Sequence, residues 1–428
     1  MKSKFKQQLR VFLYIPFLLL ALGWMISYPT NSFLFAIAIV LLPLGAFAAS
    51  RVGKSGINIV LLISFTLYAY LFGEAFTYFK SPYLNTSGFN KKSTKFDPVR
   101  GYRWLDKDIR YFKNRMGEVI FDNQFHPNNR GWIMKQDYSY KKRDSTTKRW
   151  MILGDSFVAG IMLKDNLPDR MQELINDSIG KEKLEIYSFG VDGGGIMNWY
   201  NILFKEIIPN YEFDGIIIAP YSDNLYRDFM VMLIDNNGYM GRIDSVDFSD
   251  NRIDVKAFKA IKPFDNVYSD EKIDYFKTQP FKPFDWPFKR QTKIFFKSLR
   301  HQNKTNDSKV IASIDQLKRK VGDKRFAQLD SMISWCKSNQ KELILASIPS
   351  IWELKGMQEG VKSSHQAEID ILADAYKLNY FDGYQVFDEL SEEELLEHWL
   401  HYDGHWNQIG SDKFAVDFSN YLINHYEE

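Results

Sequence analysis

The chain has a single cysteine, Cys336, in 428 residues. That excludes an intramolecular disulfide framework and any multi-cysteine zinc or iron–sulfur site. It also lacks an excess of either charge: 55 basic and 53 acidic residues leave a formal net charge of +2. So even a balance argues against a nucleic-acid binder that works by bulk electrostatics. No internal repeat of useful length is present, and Gly53-Lys54-Ser55 lacks the upstream glycine of a phosphate loop. What the chain does not lack is apolar bulk. Aromatic residues alone make up 16% of it, enough buried surface to argue against disorder.

Three stretches contain no charge at all: Val11–Tyr28, Phe33–Ala49 and Ile57–Gly73. At 17 or 18 residues each, they are just long enough to cross a ~30 Å hydrocarbon layer as helices. A cleaved signal peptide is the alternative for the first run, given Lys2, Lys4, Lys6 and Arg10 ahead of it. Two further spans follow at once, and no small-residue cleavage site stands out. A helix lying on the membrane surface would show a polar stripe, which these runs do not. Pro16 and Pro43 are tolerable in membrane helices packed against neighbours. The loop after the second run carries Arg51 and Lys54, so positive-inside logic puts that loop and the N-terminus in the cytoplasm. Three spans then place everything after Gly73 outside. The expectation is a multi-pass anchor over 1–80 in the cytoplasmic (inner) membrane, with the lipid bilayer as a partner and the remainder extracytoplasmic.

Residues 81–148 read as a polar linker and a small aromatic-rich lead-in, with a turn at Asn128–Gly131. Short buried-strand runs follow at Trp150–Leu153, Leu184–Phe189, Gly215–Ala219 and Leu343–Ile348. Helical spacing accompanies them: Phe326, Leu329, Met332, Ile333 and Cys336; Ile369, Leu372 and Tyr376; Phe414, Phe418 and Leu422. Strands alternating with helices predict an α/β domain over 149–428, a parallel sheet in a three-layer α/β/α arrangement. An insertion at about 229–315 interrupts the alternation.

Gly154-Asp155-Ser156-Phe157 comes directly after the first strand run, and a helix with Pro168 in its first turn follows. Parallel sheets bind ligands at the carboxyl ends of their strands, so Ser156 stands at the edge of any site. It is not the Gly-x-Ser-x-Gly elbow, because no glycine follows at the second position. On position alone it is a serine in an ordinary turn, and it becomes a nucleophile only if a base takes its proton. The run His401-Tyr402-Asp403-Gly404-His405-Trp406-Asn407 supplies one, with a helix beginning just beyond Gly410. Histidine is the natural general base near neutral pH, and a carboxylate two positions away can fix its tautomer.

Taken together these residues resemble the SGNH/GDSL hydrolase family, over roughly Phe96–Glu428 without the insertion. Gly154-Asp155-Ser156-Phe157 matches the first block, whose serine is the nucleophile. Gly190-Val191-Asp192-Gly193 resembles the second, where a glycine N–H, here Gly193, lines the oxyanion hole. Ser222-Asp223-Asn224 falls where the family has Gly-x-Asn-Asp. There the order is Asp-Asn and the glycine is missing, so either Asn224 supplies the amide donor or Asp223 occupies the position. Asp403 and His405 fall in the last block, spaced Asp-x-His-Trp as in the alginate O-acetylation branch. The resemblance implies an SGNH/flavodoxin-like fold, Ser156, His405 and Asp403 as catalytic residues, and Ser156, Gly193 and Asn224 around the oxyanion. It implies no cofactor and no metal.

The expectation is an extracytoplasmic esterase or O-acyltransferase acting on ester bonds, with O-acetyl groups on envelope glycans as substrate and a membrane acyl-donor protein as partner. The alternative is a non-catalytic membrane subunit that binds a glycan or a partner protein. Lesser features carry less. Gly193-Gly194-Gly195 gives either close backbone approach to a ligand or a flexible turn. Phe276–Arg300 mixes phenylalanines and Trp286 with Lys282, Lys289, Arg290 and Lys293, as a sugar-stacking lid, a lipid-facing surface or a packed insertion. His126, His398 and His401 have no metal-ligand spacing, and Cys336 reads as a buried thiol.

Overall fold

The computed structural model describes residues 86–115, 118–180, 183–233, 239–243, 262–263, 267–278, 311–356, 362–401 and 403–427, with the lone Ile15. The three uncharged runs, apart from Ile15, lie outside the described residues, as does the basic aromatic segment beyond Thr278. Among the described residues no helix is long and apolar enough to cross a membrane. The chain divides into two compact units: Met1–Asn85 with Asn114–Glu118 and Tyr275–Ser308, and Thr86–Lys113 with Val119–Asp274 and Lys309–Glu428. The site lies in the second. Of the first, the described part is Ile15, a few residues at the end of one strand and the start of the next, and the last turn of one helix.

Besides the three-residue helical turn Ile208–Asn210, thirteen strands and ten α-helices are described. The lead-in contributes β1 (Thr86–Phe89), β2 (Thr94–Asp97), β3 (Gly101–Trp104), β4 (Ile109–Arg115) and β5 (Glu118–Phe125). Then come β6 (Lys148–Gly154), α1 (Ser156–Ala159), α2 (Leu167–Ile179), β7 (Leu184–Gly190), α3 (Ile196–Ile202) and β8 (Gly215–Ala219). The predicted insertion holds β9 (Phe229–Leu233), β10 (Tyr239–Ile243), β11 (Lys262–Pro263) and α4 (Asp270–Thr278). The alternation resumes with α5 (Ile314–Val321), α6 (Asp323–Ser338), β12 (Glu342–Ala346), α7 (Ile351–Gly356), α8 (Ser364–Tyr376), β13 (Asn379–Phe381), α9 (Glu392–Glu397) and α10 (Gln408–Glu427).

Five strands form the main sheet in the order β13-β12-β8-β6-β7, and all its pairings are parallel. In chain order this is the doubly wound 2-1-3-4-5 arrangement, whose topological switch point falls between β6 and β8. Alternation along β6 divides the core in two. Met151 and Leu153 join α3 and α6 through Trp199, Met332 and Cys336, while Trp150 and Ile152 join α2 and α10 through Met171, Phe414 and Phe418. The strand runs are almost continuously apolar because both faces are covered.

The edge strand β7 has a row of backbone groups that no strand pairs. Side chains satisfy them. The Gln172 amide accepts from Ile186 N–H (2.7 Å) and donates to Leu184 C=O (3.0 Å). The Tyr138 hydroxyl accepts from Ser188 N–H (2.6 Å) and donates to Ser188 C=O (2.7 Å), its ring stacked on Tyr187 at 4.1 Å. This blunts an edge that would otherwise template further pairing. Arg149, buried on β6, binds Glu185 and the carbonyls of Ser139, Lys141 and Glu212. The lead-in is therefore built into the same compact unit as the sheet. Within the insertion, β9, β10 and β11 make an antiparallel sheet, which is why the βα alternation lapses there.

Candidate functional site

The chain leaves β6 through Asp155, a fully buried carboxylate that caps α1 by accepting from Phe157 N–H (3.1 Å). Its other oxygen accepts from the Asn224 amide and from the Arg227 guanidinium, both at 2.9 Å. Asp155 thereby ties the carboxyl ends of β6 and β8 together across the switch point. Ser156 is the first residue of α1, so its N–H has no carbonyl of its own helix to bond. Gly160, at φ +57°, ends that helix after one turn. The end of β7 presses on it: a Cβ on Gly190 would stand 2.4 Å from Ala159 N.

On the far side, residues 399–401 and 403–406 belong to a tight loop closed by an antiparallel bridge between Trp399 and Trp406. Leu400 N–H donates to His405 C=O (2.9 Å), and Asp403 N–H to Leu400 C=O (3.0 Å). Trp406 is the buried wedge of this loop, edge-on to Phe157 at 4.8 Å and 4.7 Å from Phe414. The helix after it begins at Gln408, ahead of the position expected beyond Gly410. Asn407 accounts for this early start by accepting from Gly410 N–H (3.1 Å).

These two constructions bring together residues 249 positions apart. His405 Nδ1–H donates to Asp403 Oδ1 (2.5 Å), and Nε2 accepts from Ser156 Oγ–H (2.7 Å). One tautomer satisfies both bonds. Asp403 Oδ1 also accepts from His405 N–H (3.1 Å), while Oδ2 is bonded by the Lys113 ammonium of β4. Burial works to raise the Asp403 carboxyl, but His405 and Lys113 outweigh it and hold it well below the usual carboxylate range. Burial pulls His405 down; the Asp403 bond and charge, then the charges of Asp192 and Asp155, more than reverse that and leave it above the ordinary histidine value. The arrangement can take a proton from a hydroxyl and hold it as a stabilised imidazolium.

The oxyanion side is less open than the sequence suggests. Gly193 adopts φ +72°, the left-handed region that favours glycine. Asn224 is fully buried; its Oδ1 accepts from Tyr221 N–H (2.6 Å), which fixes the amide orientation. Its two amide hydrogens go to Asp155 (2.9 Å) and to Gly194 C=O (3.2 Å). Both are committed, so donating to an oxyanion requires releasing one. Asp223, the other occupant considered, has a 58% exposed side chain and is paired with Arg227 at 2.5 Å.

Four residues at the site were assigned no role from the sequence: Asp155 as a tie, Arg227, Lys113 and Asp192. Asp192 lies in the loop after β7. Burial, with the charges of Asp155 and Asp403, pushes its carboxyl up against the opposing pull of His405 and Arg227. The Gly-Asp-Ser order was a usable clue to the first, since aspartate is a preferred helix N-cap. His126 pairs with Asp106 and Asp108 at the surface, and Cys336 is buried in the core. Among the described residues no cluster of three or more His, Cys, Asp or Glu could hold a metal ion.

No family model matches the chain, and no curated protein does. Several solved structures are similar. A lipase/acylhydrolase from Enterococcus faecalis is 12% identical, over 65% of this chain and 97% of that one, with a TM-score of 0.35. A catalytic mutant of an acetylxylan esterase from Geobacillus stearothermophilus is 10% identical over 66% and 96%, TM-score 0.35. A GDSL-like lipase from Bacteroides thetaiotaomicron is 12% identical over 66% and 92%, TM-score 0.32. Superposition this loose says nothing by itself about what the chain does.

Proposed function

We propose that the chain is a membrane-anchored, extracytoplasmic serine esterase or O-acyltransferase of the SGNH type, working through an acyl-serine on O-acetyl groups of envelope glycans. The observation that carries this is the 2.7 Å bond from Ser156 Oγ to His405 Nε2, with Asp403 behind it. Ser156 Oγ attacks the ester carbonyl as its proton passes to His405 Nε2, and Asp403 steadies the imidazolium. The N–H groups of Ser156 and Gly193 hold the oxyanion, joined by Asn224 as it gives up the longer bond to Gly194. His405 then protonates the departing alkoxide oxygen. In the second half His405 takes a proton from water or from a sugar hydroxyl, and that oxygen displaces Ser156.

The uncharged runs support the anchor and the position outside the cytoplasmic membrane, where a membrane acyl-donor protein would deliver the acyl group. Trp352 supports a saccharide. It is 71% exposed on α7, just beyond the carboxyl end of β12, where an indole face can stack on a sugar ring. The committed amide of Asn224 favours the rival reading, a glycan-binding subunit without turnover.

The test is turnover of a chromogenic acetyl ester and of acetylated oligosaccharides by detergent-purified full-length protein, with Ser156→Ala as control. The expected result is acetate release or transfer to added saccharide, reduced at least ~10³-fold in the variant. Glycan binding without release of acetate by either protein would establish the rival.

A further inference from the structure

Both oxygens of the Asp403 carboxylate are engaged by protein donors. Its side chain is only 8% exposed, and the two donors from His405 occupy Oδ1. The remaining oxygen meets Lys113, a residue 290 positions earlier on β4 of the lead-in. Lys113 is itself 27% exposed, so the pair is mostly withdrawn from solvent. Ion pairs between exposed side chains contribute little, whereas removing one partner of a buried pair leaves an uncompensated charge. A lysine that reaches from a separate sheet to a buried carboxylate oxygen is therefore fixing which way that carboxylate faces.

We infer, resting on the hydrolase reading, that Lys113 is a positioning residue for the Ser156–His405–Asp403 relay: its ammonium holds Asp403 Oδ2 and so aims Oδ1 at His405. Two consequences follow from the geometry. Without Lys113 the carboxylate still lies beside His405, held by the His405 N–H, but its plane can turn, and the imidazole loses the fixed alignment that keeps Nε2 on Ser156. Misplacement on the scale of 1 Å costs up to about 10² in rate. The second consequence is electrostatic. The charged groups around His405 are Asp403 beside it in the loop, Asp155 at the end of β6, Asp192 after β7, Arg227 bonded to Asp155, and Lys113 on β4. Removing Lys113 shifts that balance towards negative, which favours the imidazolium. The free base then requires a higher pH.

The experiment uses Lys113→Met and Lys113→Arg in the full-length protein, with two readouts. The pH dependence of kcat/KM on a small acetyl ester is one; the titration of His405 by NMR of ring-labelled histidine, assigned with His405→Gln, is the other and needs no turnover. Lys113→Met is expected to lower kcat about 10- to 100-fold with little change in KM. It is also expected to raise the acid limb and the His405 midpoint by about half a unit to one unit. Lys113→Arg, which keeps charge and reach, restores both. If the midpoint stays in place in Lys113→Met, whether or not thermal stability falls, Lys113 is a structural ion pair and the inference is wrong. A raised midpoint in a protein whose wild type turns over no ester keeps the role of Lys113 and removes the hydrolase reading; turnover with an unmoved midpoint does the reverse.

Discussion

Ser156 and Asn224 stand just beyond the ends of β6 and β8, and His405 just ahead of α10, in short runs visible in the sequence. Lys113, Tyr102 and Tyr138 reach the same unit from strands and loops of residues 86–148, where no such run exists. Both parts of the molecule supply polar contacts of similar length, but of different kinds. The α/β part presents groups whose spacing follows from strand ends meeting helix starts. The lead-in presents groups that complete what the α/β part leaves open: the second oxygen of Asp403, the unpaired edge of β7, and the backbone N–H of Asp192, which donates to the Tyr102 hydroxyl at 2.8 Å. On the proposed reading, the chemistry resides in one region and its alignment is shared with the other.

Substitutions on either side sharpen that division. The largest effect is expected from Asp403→Asn, which keeps the shape but removes the charge that fixes the histidine tautomer; kcat falls by about 10³–10⁴ in steady-state ester hydrolysis. Asn224→Ala is expected to cost about 10²–10³ in kcat if the amide reaches the oxyanion, and far less if it only ties Asp155 to Gly194. The pH profile separates the regions by sign. Wild-type kcat/KM is expected to fall below a midpoint above the ordinary ~6.5 of histidine, because the site favours the imidazolium and the base must be neutral. Asp403→Asn lowers that midpoint by removing a negative charge beside His405, whereas loss of the lead-in cation raises it. The smallest catalytic effect belongs to Tyr138→Phe. It leaves the Ser188 N–H and C=O unpaired at a buried edge and is expected to destabilise the protein by about 1–3 kcal/mol in denaturant titration. The rate per folded molecule is expected to stay at wild type.

The four strands β6, β7, β8 and β12 were legible because burial on both faces leaves continuous apolar runs such as Gly215–Ala219. Other elements were not, for identifiable reasons. β13 is an edge strand of three partly exposed residues, Asn379–Phe381, and α1 is a single turn with no period to detect. The helix carrying Pro168 was legible, but the separate turn between it and β6 was not. Lys113 in Ile109–Arg115 looks like any charged residue on the outer face of a strand. Its partner lies 290 positions away, and no local pattern encodes that distance. Asn224 was found by its place after β8, yet the destination of its amide hydrogens depends on Asp155 and Gly194 meeting it across the switch point. Local spacing identifies a group; the chemistry left available to it is decided by neighbours that the fold brings in.

The central claim is that His405 activates Ser156, and covalent labelling tests it most directly. Detergent-purified wild-type protein, Ser156→Ala and His405→Gln are exposed to a fluorophosphonate ester, and the adduct is read by intact mass and peptide mapping. Stoichiometric modification of Ser156 in the wild type, none in Ser156→Ala and a rate at least ~10³-fold lower in His405→Gln is the predicted result. A folded wild type that stays unmodified, or that reacts as slowly as His405→Gln, would contradict it.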